Sequence, residues 1–166
     1  MSKIMFASIL FVAALSITSY GCGNEEPEIP AQSETTKPSE GNNEETNESM
    51  RMNIIIGDKT ITAMMEDNAA GRDFLSRRPL EVTLEDFNNT TEKIFYPTPA
   101  LDMADVKRGC APVSGDITIY APWKNVAIFC KNWSYSNDLI KIGHIEGDGI
   151  EALRTGGDIK VKFERQ

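Results

Sequence analysis

Between Met52 and Glu164 the chain alternates short apolar runs with turn residues, at a spacing that leaves no room for long helices. "MNIIIGDKTITAMM" (52–65) gives two strand-like runs around Gly57-Asp58, residue types that accept positive φ in a two-residue hairpin turn. A short helix follows, with Asp67 or Asn68 as its N-cap, Ala69, Ala70, Phe74 and Leu75 at near-helical spacing, and Pro79 as its stop. "LEVTLE" (80–85) alternates without error, so Leu80, Val82 and Leu84 share one face and the other must be wet.

After Asn88-Asn89-Thr90-Thr91 comes a strand-like "EKIFY" (92–96), then a stretch to Val113 broken by Pro97, Pro99, Gly109 and Pro112. Loops of that length are commonly binding loops, which makes this region the first place to look for a site. The next hairpin turns at Ala121-Pro122-Trp123-Lys124 and points Ile117, Ile119, Val126 and Ile128 inward. Ala127 and Phe129 are apolar as well, so this second strand is predicted to be covered on both faces. "DLIKIGHIE" (138–146) reads as a strand and Gly147 to Gly157 as a short helix ended by paired glycines. In "DIKVKFE" (158–164) Ile159, Val161 and Phe163 alternate with lysines as a final strand.

The sum is a mainly β domain of about eight strands with two short helices over residues 51–166. A closed barrel is the expected architecture, because closure removes the edges an open sheet leaves unpaired; an open mixed sandwich is the alternative.

The first fifty residues carry a different pattern. Lys3 precedes the apolar run Ile4–Ile17, whose 14 residues fall short of the roughly 20 a bilayer span needs. Gly21-Cys22 closes that run and resembles a bacterial lipoprotein processing site, with Ser19 where such sites carry an aliphatic residue. The resemblance makes 1–21 a signal peptide and Cys22 the lipidated residue, holding the protein on a membrane through its acyl chains. Residues 22–50 read as a disordered acidic tether, since Gly23 to Ser49 holds eight Glu, one Lys and no aromatic residue. The address implied is the bacterial cell envelope, at the outer membrane or its periplasmic face. Asn24-Glu25-Glu26 also resembles acidic export signals that send lipoproteins to the cell surface.

Charge changes meaning once the tether is set apart. Of the net −8, the tether carries −7 and Lys3 +1, which leaves −2 for residues 50–166. The folded part has no basic field of the kind that binds nucleic acid.

"GDITIYAPWKNVAIF" (115–129), with "SYSNDLIKIGHIEG" (134–147) and "TITAMMEDNAAGRDFLSRRPLEVTL" (60–84), resembles the cyclophilin-like domain family of bacterial proteins of unassigned function. The resemblance spans about residues 52–164 in order and implies an eight-stranded barrel with two flanking helices. Prolyl isomerase activity does not follow from it. True cyclophilins carry an Arg in an F-H-R strand and a Q-x-G-D segment, and this chain has neither. Without an Arg to assist the twisted amide, the barrel offers little transition-state stabilisation.

Candidate chemistry is sparse. His144 is the only His, and strict alternation would place it on a face with Ile140 and Ile142 as a structural or surface residue. No C-x-x-C or H-E-x-x-H spacing exists, so neither a metal nor a cofactor is expected. Cys110 and Cys130 would persist in an oxidising compartment, where a disulfide or two separate buried thiols are both open. A bridge requires the segment before Ser114 to fold back, because hairpin register puts Gly115 opposite Cys130. Phe95, Tyr96, Trp123, Trp133 and Tyr135 fall at turns and loop margins with Glu92 beside them, as plugs of a barrel end or as a ligand cleft. The function expected is a membrane-anchored envelope protein that binds a small ligand or a protein partner without catalysis. The alternatives are a peptidyl-prolyl isomerase-like enzyme acting on envelope peptides and a purely structural envelope component.

Overall fold

A computed structural model describes residues 49–166. The signal peptide, Cys22 and nearly all of the tether lie outside the described residues.

Eight antiparallel strands follow from the predicted runs: β1 (Arg51–Ile56), β2 (Lys59–Met65), β3 (Leu80–Phe87), β4 (Glu92–Phe95), β5 (Asp116–Tyr120), β6 (Asn125–Phe129), β7 (Leu139–Ile145) and β8 (Ile159–Arg165). They close into a barrel in the order β1-β2-β7-β5-β6-β4-β3-β8. Gly57-Asp58 makes the first hairpin turn, with Ile56 opposite Lys59 and Gly57 at φ 55°. The second hairpin pairs Tyr120 with Asn125 across the Ala121–Lys124 turn.

An α-helix, α1 (Ala69–Ser76), starts where Asn68 accepts a hydrogen bond from the Gly71 N–H at 2.8 Å. Gly71 is required there, since an added Cβ would stand 2.1 Å from the Glu66 carbonyl oxygen. The second predicted helix is only a 3-10 turn of five residues at Gly149–Leu153, too short for successive α-turns before Thr155-Gly156-Gly157 leads the chain away. Both pieces dock on the barrel by apolar faces: Phe74 of α1 meets Phe163 edge-on at 5.0 Å and Phe95 at 6.0 Å, while Ile150 and Leu153 of the 3-10 turn are buried.

The inward positions of the strands, including Met52, Ile54, Leu84, Ile117, Ile119, Val126, Ile128, Ile140 and Phe163, form the main core. One lysine joins them. Lys93 pairs in register with Ile128, is fully buried, and donates to the carbonyls of Thr155 and Gly157 at 2.7 Å each, with Asp86 Oδ1 at 3.1 Å. Its ammonium thereby ties the chain leaving the 3-10 turn to the barrel wall, so Lys93 is a structural cation.

The segment after β4 is held to α1 rather than left free. Arg77 bonds Asp73 through two N–H groups at 2.8 and 2.9 Å and donates to the Ala100 carbonyl at 3.1 Å, while the Asp102 N–H reaches Asp73 Oδ2 at 2.7 Å. The Arg77 hydrogen bond keeps the Asp73 carboxyl below its usual range.

Among the described residues no helix is long and apolar enough to cross a membrane.

Candidate functional site

β6 is apolar on both faces, and the structure covers its second face. Ile94, Ala127, Phe129 and Leu139 form a small apolar cluster apart from the main core, with Phe87, Tyr120 and Cys110 packed against it. Val126 and Ile128 belong to the main core, so Asn125, Ala127 and Phe129 point outward by strand alternation. What shelters them is chain without regular structure: the Gly109 N–H bonds the Leu139 carbonyl at 2.8 Å, and Cys110 and Ser136 exchange backbone hydrogen bonds at 3.2 and 3.0 Å.

That cover is incomplete, and a cavity of about 220 Å³ opens in it. Its wall draws on Phe87 at the end of β3, Glu92 and Ile94 on β4, Tyr120 at the end of β5, Trp123 in the turn, and Asn125 and Phe129 on β6. Trp133, Ser136 and Leu139 complete it from the last loop and β7. Trp123 stands edge-on to both Tyr120 (5.4 Å, 86°) and Phe87 (5.9 Å, 87°), which fixes the ring at the rim. Even so, Trp123 is 52% and Trp133 48% exposed, large apolar surfaces left at the mouth.

Two polar groups in the wall lack the partners that burial ordinarily demands. The Asn125 side chain is 2% exposed and its Oδ1 accepts no hydrogen bond. The half-buried Glu92 carboxylate has no hydrogen bond or ion pair with any described residue, and burial pushes it above the usual range. Leaving a buried polar atom without a partner costs about 1–3 kcal/mol, so Asn125 Oδ1 calls for a partner beyond the described side chains, a water or a ligand.

The six residues expected to form a cleft therefore divide. Glu92, Trp123 and Trp133 share this cavity. Phe95 does not: strand alternation turns it inward, where it packs against Phe74 and Phe163 in the main core. Tyr96 is exposed beside Pro97 and Pro99, and with Phe95 it lines a separate depression of about 440 Å³ next to α1. Tyr135 is 62% exposed and lies over Gly109, its hydroxyl donating to Asn137 Oδ1 at 3.1 Å. Sequence reasoning missed Asn125, Phe87 and Tyr120. Their signal was register: Glu92 and Ile94 on β4 oppose Phe129 and Ala127 on β6, and carrying that outer row along β6 leads to Asn125.

His144 stands elsewhere than alternation predicted. Ile117 pairs with Gly143 but Thr118 with Lys141, so Ile142 is an extra residue, a β-bulge. The bulge reverses the phase of β7 and turns His144 outward, its side chain 41% exposed and Nδ1 2.8 Å from Asp116 Oδ1. Lys141 Nζ reaches the same oxygen at 2.8 Å, and the Val113 N–H donates to Oδ2 at 3.0 Å. Burial raises Asp116, but Lys141, the Val113 N–H and His144 outweigh it, and the carboxyl sits below its usual range. Gly115 lies under the imidazole, where a Cβ would meet Cε1 at 2.9 Å. The ring is thus one of several supports for a buried carboxylate. Burial first, and then the Asp116 charge, push the Cys110 thiol upward, the reverse of what an activated nucleophile needs.

Cys110 and Cys130 are both free in this structure. The bridge is not formed because Cys110 pairs with Ser136 instead of folding back, while Gly115 lies beside the end of β6. Cys130 is buried in the main core, with Sγ 3.7 Å from the Leu153 carbonyl oxygen. Among the described residues no group of three or more His, Cys, Asp or Glu is placed to hold a metal ion.

The barrel is similar to the solution structure of the hypothetical protein AF2241 from Archaeoglobus fulgidus. That likeness has a TM-score of 0.52 at 16% identity, covering 70% of this chain and 95% of that one, and it speaks for the fold alone. No curated protein matches the chain. The match that carries further spans residues 54–164, from β1 to the end of β8, and by it the chain belongs to the Cyclophilin-like family.

Proposed function

We propose that this protein is a lipid-anchored component of the bacterial cell envelope whose cyclophilin-like barrel binds a small ligand, without catalysis, in the aromatic cavity on the outer face of β4, β5 and β6. One observation carries the binding reading: buried Asn125 Oδ1 and the half-buried Glu92 carboxyl share a wall with aromatic rings and have no partner of their own. The cavity wall holds no His, Cys, Lys or Arg, so it supplies no cation for a developing oxyanion. Anchoring rests on the Lys3 start, the apolar run and Gly21-Cys22, and the acidic tether would hold the barrel away from the bilayer.

Both tryptophans of the chain line the cavity, so their emission reports its occupancy. Titration of the full chain with a small-metabolite library is expected to shift that emission for some members; a library that never does so removes the binding reading. If a proline peptide is isomerised faster, and Trp123→Ala abolishes the effect, the protein is an enzyme and the proposal fails. Thiol titration of denatured, unreduced protein purified from native membranes is expected to find two thiols, Cys110 and Cys130, with Cys22 acylated. A third thiol would remove the anchor, and none at all would establish the disulfide.

A further inference from the structure

We propose that the ligand is a compact organic cation with N–H donors, a primary or secondary ammonium on an apolar body, seated with its charge at Glu92 and an N–H directed to Asn125 Oδ1. The inference rests on the cavity being a binding site and names what it would take.

Three features narrow the chemistry. Glu92 is the only formally charged side chain in the wall, so the cavity disfavours anions and has no cation to clamp a phosphate or carboxylate. The two polar groups without partners, a carboxylate and an amide oxygen, are both acceptors, so the complementary ligand brings donors. Phe87, Tyr120, Trp123 and Trp133 surround them, and aromatic rings attract cations through their negative faces. Burial holds the Glu92 carboxyl above its usual range, and a bound cation would reverse that by stabilising the charged form.

Size and geometry exclude the rival cations. A volume of about 220 Å³ equals roughly seven waters of liquid, at about 30 Å³ each, which suits a molecule of about ten heavy atoms. A hard metal ion asks for six or more oxygen ligands, and this wall offers two without partners. A quaternary ammonium satisfies the rings and the charge but gives Asn125 nothing to accept. Discrimination between primary and quaternary ammonium is therefore the distinguishing property of the site.

The test uses four probes of one body: benzylamine, benzyltrimethylammonium, benzyl alcohol and benzoate. Each is titrated into the full chain with tryptophan emission and calorimetry as readouts. Benzylamine is expected to bind tightest and benzoate not at all. Glu92→Gln, which keeps the shape, is expected to weaken benzylamine on the order of tenfold or more and benzyl alcohol by much less, because only the amine carries a charge. Asn125→Ala is expected to narrow the gap between benzylamine and benzyltrimethylammonium, and circular dichroism of both variants verifies that the barrel is intact. Equal or tighter binding of benzyl alcohol or benzoate would overturn the ligand class yet leave the cavity a binding site. So would an unchanged preference in Glu92→Gln. If none of the four binds at millimolar concentration, the ligand class falls; if the metabolite library is silent too, the binding reading falls with it.

Discussion

The barrel interior and the cluster on its outer face are built from the same kinds of residue, yet they treat buried polar groups in opposite ways. Inside, Lys93 is fully buried and each of its donors is met, by two carbonyls and Asp86. Outside, Glu92, the next residue along β4, is half-buried with no partner, and Asn125 is buried with an unmet oxygen. A buried polar network is stable only when every member is satisfied. Lys93 obeys that rule as part of the scaffold; the outer cluster departs from it at Asn125 Oδ1, in the place where aromatic surface is also left uncovered. Adjacent positions on one short strand thus meet opposite surroundings, because pleating sends them to opposite faces.

The largest expected effect lies on the scaffold side. Phe74→Ala removes the ring that α1 packs against Phe95 and Phe163 and should cost about 3–5 kcal/mol in a denaturant or thermal melt. Cavity affinity per folded molecule should stay unchanged, and a proportional loss of both would mean the two regions are one unit. In the outer cluster Ile94→Ala should cost about 2 kcal/mol by the same assay, at the low end for such a truncation because its surroundings are open to collapse. An equal or larger cost than Phe74→Ala would place the outer cluster on a par with the interior.

The two carboxyls flanking this wall should titrate with opposite sign. Asp86 is held below its ordinary 3.8, first by the Gly157 N–H and, against burial, by Lys93 and Thr90. The unfolded chain then binds its proton more readily, so the stability is present above pH 3.8 and is lost as pH falls through the lowered value. Asp86→Asn should flatten that acid limb. Glu92 is raised above 4.5 by burial, so here the folded state holds the proton and stability declines as pH climbs from 4.5 through the raised value. Glu92→Gln should abolish that decline, a gain of less than about 1 kcal/mol at neutral pH given the group's exposure. A variant less stable than the parent at pH 7 would show that Glu92 already has a compensating partner.

How far the chain could be read without coordinates depended on whether each feature was local. Gly57-Asp58, the Ala121–Lys124 turn and the Asn68 cap all appear where their residue types put them, since turn and cap chemistry acts over three or four residues. The double-sided apolar character of β6 also held, and it pointed at the covered outer face. The clearest failures came from phase and from distance. Alternation assigned His144 to the Ile140–Ile142 face, and one bulged residue reversed it. Phe95 and Tyr96 adjoin Glu92 in the chain but not on the surface, so sequence neighbourhood gave a cleft of six where the fold assembles three.

Period-two hydrophobicity and punctuation by Gly, Pro and Asn are enough to dictate a small β-rich barrel, because side-chain direction and turn conformation are settled within a few residues. Tertiary structure alone decided that Lys93 is sated and Asn125 is not. Satisfaction of a buried polar atom depends on groups such as the Thr155 and Gly157 carbonyls, some sixty positions away, and no local pattern encodes that distance.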